Sequence, residues 1–467
     1  MRKLPEQWRY SIRAIIVLAL CAIVAACASV PDVDKNLDAS SGLQGPVRIM
    51  GARGPLTAQQ SRALLDRIGT EAGDDLMLRR HVAIEEAVAE SPLVAGNQTH
   101  LLADGDETFP AMFRAIKGAK DHLNLEYYIL EDIESDGEKL SDLLIAKRQE
   151  GVAVNIIYDS YGSDSTKADF FTKLKAAGIN LVSFNPVNPL DPQSLNNRDH
   201  RKILVADGAK AIVGGINLST TYQSSSVGKS AGIKGKPDAR WRDTDLEIEG
   251  PVVAQLQTLF LEHWNGQKGT PLDVQNFFPV IPPKGTEVVR IIGSTPDHAI
   301  PRYYVTLLSA IRNAEKSIWI SAAYFVPTDQ EEEDLMAAAR RGVDVRLLLP
   351  GESDSPRALA VGHSHYSDLL EAGVKIYETQ NLVLHSKTAV IDGVWSVVGS
   401  SNFDRRSVLF NDEVDAVVLG SATAQELQAM FENDIKNAKQ IDLADWRRRS
   451  LIARINEVYS TVWQDWL

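Results

Sequence analysis

Apolar residues along this chain follow two spacings that alternate with each other. Over 113–130 (FRAIKGAKDHLNLEYYIL) a helical spacing gives way to strand alternation at Leu123 and Leu125. Over 143–159 (LLIAKRQEGVAVNIIYD) a second helical pattern ends at Gly151, and the strand VAVNIIYD follows. The same succession returns at 308–327 (LSAIRNAEKSIWISAAYFVP) and 335–350 (LMAAARRGVDVRLLLP), with Ile318 and Ile320 alternating and Gly342 closing the helix. Periods of 3.6 and 2 separate helix from strand, and a glycine just past the last helical turn is the usual C-cap. Helix then strand, twice per copy, predicts an α/β fold made twice: two duplicated α/β sandwich domains related by a pseudo-two-fold axis, with the active site at their interface. The period of about 190 residues is far beyond the roughly 20–50 of solenoid arrays.

The pattern also predicts the divisions of the chain. Three prolines in the five positions 279–283, inside NFFPVIPPKG, leave no room for a helix or central strand. A link is therefore expected at 276–285, between a first domain over 96–275 and a second over 286–467. Residues 51–95 read as a helical N-terminal region (LTAQQSRALLDRI, LRRHVAIEEAVAE), and the stretch from Ala422 to Leu467 also reads as helices.

The first residues follow neither pattern. Arg2, Lys3, Arg9 and Arg13 precede an apolar run from Ala14 to Ala26 that ends in small residues. A basic start, a short apolar stretch and a small-residue cleavage site predict a secretory signal peptide over 1–26. The alternative is an anchor that stays uncleaved, although the run falls short of the ~20 apolar residues of a spanning helix. Val24-Ala25-Ala26-Cys27 resembles the lipobox of bacterial lipoproteins, in which the cysteine is acylated. Ala28 and Ser29 follow rather than an aspartate. By resemblance to sorting in Gram-negative bacteria, this implies an outer-membrane lipoprotein facing the periplasm. Residues 27–50 then form a lipidated polar tether.

Composition changes this picture in two respects. The chain has 467 residues, 24% charged and 44% hydrophobic, a balance suited neither to a multi-span membrane protein nor to a disordered one. Its two cysteines, Cys21 and Cys27, both fall in the predicted signal segment or at its end, so no disulfide framework and no cysteine-ligated metal is expected. The net charge of −13 becomes −16 once residues 1–26 are removed. That argues against a nucleic-acid partner, because phosphate contacts call for a basic face. Membrane residence must then come from the lipid anchor and apolar contacts.

The chemistry lies in one constellation that occurs twice. His200, Lys202, Asp207 and Asn217 in the first copy match His385, Lys387, Asp392 and Asn402 in the second, at offsets of 2, 7 and 17 from the histidine. A chain of this composition is expected to contain about 0.03 matches to H-x-K-x-x-x-x-D by chance. Residues i and i+2 of a strand share a face, so each imidazole stands beside an ammonium, a pairing suited to a phosphate. Imidazole is a nucleophile when neutral and an acid when protonated. Two of them across one phosphorus allow in-line attack and leaving-group protonation in a two-step covalent reaction that requires no cofactor or metal.

The paired motifs resemble the phospholipase D superfamily. LEYYILED, NRDHRKILVADG, GGIN, RWRDTD, AAYFVPT, LHSKTAVIDGVWSVVGSSNFDRRS, Asn411 and Glu413 together resemble bacterial cardiolipin synthases over about residues 95–435. The resemblance implies a phosphatidyltransferase acting on phospholipid substrates. It implies His200 as nucleophile and His385 as acid and base, with the roles open to exchange under the pseudo-symmetry. It implies that Lys202, Lys387, Asn217 and Asn402 hold phosphoryl oxygens. Asp243 and Glu413 would orient the histidines, although the copies align loosely enough that Asp245 competes with Asp243. Asp207 and Asp392 belong to the motif but suit a structural role better than a chemical one. The best-known bacterial synthases begin with two transmembrane helices, and the predicted export signal stands in their place here.

Other residues admit two readings. His363 and His365 suit a surface or cleft better than a metal. Arg240, Arg242, Arg405 and Arg406 either clamp phosphate or pair with nearby acids. Tyr127, Tyr128, Tyr324 and Phe325 either pack in the core or floor an acyl groove. Hydrolysis to phosphatidic acid, nucleic-acid phosphodiester cleavage and a non-enzymatic envelope role are the competing functions.

Overall fold

The computed structural model describes residues 30–35, 47–72, 81–82, 85–86, 88–186, 196–223, 240–273, 275–450 and 459–460. The predicted signal peptide, Cys27 and most of the tether lie outside these residues.

Each half contributes a matching run of seven strands to one continuous 18-stranded sheet, and the two runs share a strand order. The first runs Asn180–Phe184, Ala153–Asp159, His122–Tyr127, Lys202–Ala206, Lys210–Gly214, Thr244–Glu249, Leu93–Ala103. The second runs Lys375–Glu378, Asp344–Leu349, Ser317–Ala322, Lys387–Ile391, Trp395–Gly399, Asn411–Leu419, Glu287–Ser294. In both, the first three strands are parallel and the rest antiparallel. Helix crossovers join the parallel strands, as parallel pairing requires.

Strand alternation explains the layers. Leu204 packs against the outer helices of the first half, while its neighbours Ile203 and Val205 face inward. Ala389 and Ile391 pack outward in the second half, while Val390 faces inward. The inward residues of both sheets, among them Val213, Leu246, Ile291, Val398, Val414 and Val418, form one shared core. The helices Val253–Gly266 and Ser421–Ile435 flank it through Leu256 and Leu427. The outcome is a four-layer helix–sheet–sheet–helix molecule, consistent with sheets buried on both faces.

The strand Leu93–Ala103 joins the halves. Gln98 to Ala103 pair with the first sheet, while Val94, Ala95 and Asn97 pair with Glu287–Ser294 of the second, across a bulge. The expected division at 95/96 therefore falls inside a strand. Its first residues serve one sheet and its last the other, so no single strand alternation marks where it begins. The helix Ala58–Ala72 is present, preceded by the short strands Ile49–Gly51 and Gly54–Pro55. The C-terminal region holds the helices Ser421–Ile435 and Leu443–Arg447, with a two-residue strand, Lys439–Gln440, between them. No helix or strand lies between residues 275 and 286. Among the described residues no helix is long and apolar enough to cross a membrane.

Candidate active site

Both histidines sit just before a strand that begins with their lysine, beside the C-terminal end of its antiparallel neighbour. Lys202 lies opposite Tyr127, and Lys387 opposite Ala322. Each histidine is stitched by its backbone to the other half. The pair Arg198–Asp199 runs parallel to Asn411–Asp412, and His200 N–H donates to Asp412 O at 2.9 Å. The strand Leu382–Leu384 runs parallel to Arg240–Arg242, and His385 N–H donates to Arg242 O at 2.7 Å. In both ladders the next residue on the partner strand is a carboxylate, which crosses to the histidine. His200 Nδ1 lies 2.9 Å from Glu413 Oε2, and His385 Nδ1 lies 2.7 Å from Asp243 Oδ2.

Sheet register settles the choice between Asp243 and Asp245. Gly214 faces Asp245 and Gly399 faces Asp415, so Asp243 matches Glu413. Asp245 and Asp415 instead brace the turns carrying the asparagines, accepting from Ile216 N–H at 3.0 Å and from Ser401 Oγ at 2.6 Å. A carboxylate on Nδ1 fixes the tautomer and leaves Nε2 for chemistry. Both rings border one cavity of about 300 Å³, lined also by Asn217, Asn402, Tyr128, Tyr222, Trp241 and Tyr324. Asn217 Oδ1 accepts from Ile129 N–H, which leaves its amide nitrogen as a donor, and Asn402 Oδ1 makes no hydrogen bond.

The lysines lie beneath the histidines. Lys202 Nζ donates to His200 O at 2.5 Å; Lys387 Nζ donates to His385 O and lies 2.9 Å from His385 Nδ1. Burial drives the electrostatics, since desolvation disfavours whichever form is charged. It lowers His200 to about 4 against the pull of Glu413, and lowers Lys202 to about 7 with help from Lys387. Burial and then Lys387 lower His385, and burial lowers Lys387. Burial pushes Asp243 and Glu413 upward, but Lys387 and His385 on one, and His200 and Lys202 on the other, hold both below the ordinary carboxylate range. The site is thus a buried cationic floor beneath two neutral imidazoles, an environment that a phosphate monoanion would complete.

Asp207 and Asp392, although part of the motif, stand apart from this cluster. Each lies past the far end of its five-residue strand in a left-handed turn, at φ 54° and 53°. Asp207 accepts the backbone N–H groups of Lys120, Asp121 and His122, and Asp392 those of Glu315, Lys316 and Ser317. They tie the end of the motif strand to the start of its antiparallel neighbour.

The residues with two readings divide. Arg240 pairs with Asp104 at 2.6 Å, and Arg242 with Asp434 at 2.9 Å. Arg406 borders the cavity and donates to Asn196 O. Tyr127 and Phe325 are core residues, while Tyr128 and Tyr324 line the cavity. His363 and His365 pair separately with Glu378 and Glu332. Sequence reasoning missed Tyr222, whose hydroxyl lies 3.0 Å from His385 Nδ1, and Ser400 and Ser407, which donate to Glu413. Ser400 and Ser407 were readable as motif positions; Tyr222 required the fold.

Comparison with known proteins agrees with this geometry. A family profile described as "Cardiolipin synthase, PLD-like domain" matches residues 112–239 and 307–435, once in each half. Cardiolipin synthase from Alkalihalophilus pseudofirmus is 35% identical over 373 residues, covering 79% of this chain and 72% of that protein. Cardiolipin synthase from Geobacillus thermodenitrificans is 36% identical over 376 residues, covering 80% and 73%. Cardiolipin synthase 2 of Bacillus anthracis is 33% identical over 413 residues, covering 85% and 78%. The solved structure of phosphatidylserine synthase from Haemophilus influenzae Rd KW20 superposes with a TM-score of 0.61 at 12% identity, covering 81% of this chain and 96% of that one, which speaks for the fold. Two matched domains and relatives 35–36% identical over about four-fifths of the chain place it in the cardiolipin synthase family of phospholipase D-like proteins.

Proposed function

We propose that this protein is a phosphatidyltransferase that moves a phosphatidyl group from phosphatidylglycerol to a lipid alcohol, giving cardiolipin. The observation that carries this reading is the crossed support of the two histidines. Each Nδ1 is held by a carboxylate of the opposite half, so both Nε2 atoms serve one phosphate pocket.

In the first step His200 Nε2 attacks phosphorus, and the bond from phosphorus to the glycerol oxygen breaks. The bound phosphodiester anion raises the proton affinity of His385, which arrives protonated on Nε2 and gives that proton to the departing alkoxide. In the second step the hydroxyl of the acceptor lipid loses its proton to His385 and attacks phosphorus, and the P–N bond breaks to restore neutral His200. Lys202, Lys387 and the asparagine amides stabilise the charge that builds on the phosphoryl oxygens.

The same reading takes 27–50 as a tether acylated at Cys27, on a membrane-associated enzyme of the cell envelope. Its assignment to an outer membrane is drawn from Ala28 and Ser29, whereas the cardiolipin synthases compared above come from Alkalihalophilus, Geobacillus and Bacillus.

The test is a product assay: the mature chain in mixed micelles of phosphatidylglycerol is expected to release glycerol and form cardiolipin. Phosphatidic acid as the only lipid product overturns transfer and makes the protein a hydrolase.

A further inference from the structure

The strand segments that carry the catalytic residues have a second face. Arg198 and His200 line the active-site cavity, and by strand alternation Asp199 and Arg201 turn the other way. Asn411 likewise borders the active site, while Asp412 faces away. On that far side lies a separate cavity of about 480 Å³, lined by Arg201, His263 and Asp412 among others.

Glu126 and Asp199, both fully buried, meet His263 there, and one potential ligand atom from each lies within 4.8 Å of the other two. His263 Nδ1 is 2.8 Å from Glu126 Oε1, and its Nε2 is 3.6 Å from Asp412 Oδ2. Several of these buried atoms lack a donor or acceptor: Glu126 Oε2, Asp199 Oδ2 and His263 Nε2 make no hydrogen bond. The His263 side chain is only 9% exposed and opens on the cavity. Buried polar atoms are seldom left this way without an unseen partner.

Charge points to what the partner is. Glu126 at 2.8 Å and Asp199 at 3.9 Å both lie on Nδ1, so with its proton on Nε2, toward Asp412, the imidazole turns a lone pair at Nδ1 to the two buried carboxylates. Among the described residues, the three carboxylates Glu126, Asp199 and Asp412 face the cation of Arg201, at 3.3 Å from Glu126 and 3.9 Å from Asp412. When all are ionised the cluster carries two excess negative charges, which one divalent ion would balance. A mixed imidazole and carboxylate set suits Zn²⁺ or Mn²⁺ better than the all-oxygen sites of Ca²⁺ or Mg²⁺.

We infer that Glu126, Asp199 and His263, closed by Asp412 on the cavity side, form a site for one divalent transition-metal ion behind the catalytic layer. All three ligands come from the first half, and Asp412 of the second faces His263 Nε2, so the ion steadies the ladder that presents His200 and Glu413. Its role is positional, and no step of phosphatidyl transfer passes through it.

The test uses the full, untagged chain in detergent, stripped with chelator and reloaded with Zn²⁺ or Mn²⁺ alone. Elemental analysis after gel filtration is expected to find one ion per chain, and reloading to raise the Tm by roughly 4 °C. His263→Gln and Glu126→Gln are expected to lose both effects. Metal content well below one per chain, or a Tm indifferent to chelator and ion in the unmutated chain, overturns the site and leaves Glu126 and Asp199 sharing a proton. Because neither readout depends on lipid products, this outcome is separate from the success or failure of the transfer reading.

Discussion

Glu413 receives hydrogen bonds from Ser400 Oγ at 2.5 Å, Ser407 Oγ at 2.9 Å and Asn411 Nδ2 at 3.1 Å before it reaches His200. Asp243, at the matching place in the first half, accepts from Thr244 N–H at 2.8 Å and meets His385 where Tyr222 and Lys387 also crowd Nδ1. Counted from the two histidines, Gly215 matches Ser400 and Tyr222 matches Ser407; counted from the two carboxylates, Trp241 matches Asn411. One histidine is therefore braced through small polar groups and a long acid. The other is braced by a short acid and enclosed by Tyr222, Trp241 and Tyr324, with ring centroids 6.0, 5.3 and 6.1 Å away. Duplication kept the crossed wiring and let the surroundings diverge. His200, with a single, fully satisfied partner, has a fixed tautomer, as a nucleophile requires. His385, with several partners on one nitrogen, sits where proton affinity is readily shifted, as an acid and base requires.

The largest effect should come from removing the rings themselves. His200→Ala is expected to lose about 10⁴-fold or more in kcat, whatever the leaving group. His385→Ala should lose about 10²–10⁴-fold with phosphatidylglycerol, yet recover to within about tenfold with a p-nitrophenol leaving group that needs no acid. Recovery in the His200 variant instead would reverse the two roles.

Exchanging the braces is expected to have a smaller effect, and an unequal one. A Cβ at Gly215 would meet Asp243 Oδ1 at 2.1 Å, so Gly215→Ser should displace the carboxylate and cost about 10²-fold or more. Ser400→Gly removes one of three donors to Glu413 and should cost about tenfold. Equal losses in kcat would mean that the two supports are interchangeable after all.

The smallest effect is in the pH profile. His200, at about 4, must be neutral to attack, and Lys202, at about 7, must be charged to hold phosphate. In the free enzyme kcat/KM should therefore rise through about pH 4 and fall above about pH 7, and Lys202→Arg should carry the alkaline limb upward. A profile flat from pH 6 to 9 would remove Lys202 from the phosphate floor.

How much of this was legible follows the range of each interaction. His200 with Lys202 and His385 with Lys387 could be read directly, because strand alternation is local. The α/β duplication was equally clear from Gly151 and Gly342 ending matching helices. Asp207 and Asp392 shared the motif's spacing but not its site, since spacing records a fold constraint as faithfully as a chemical one. The crossing of Asp243 and Glu413 between halves came only with strand register. His263 gave no signal, because its neighbours Glu126, Asp199 and Asp412 come from three distant segments, two of them beside residues that face the other way.

The shared strand Leu93–Ala103 bears on how the chain comes to exist at all. It is made early, but its partners in the two sheets, Thr244–Glu249 and Glu287–Ser294, come some 140 and 190 residues later. Until both arrive, an eleven-residue strand offers open backbone to any passing edge. Severing the chain at the proline-rich link would not free two units. It would leave each fragment with an unpaired margin, prone to self-association until it found the other.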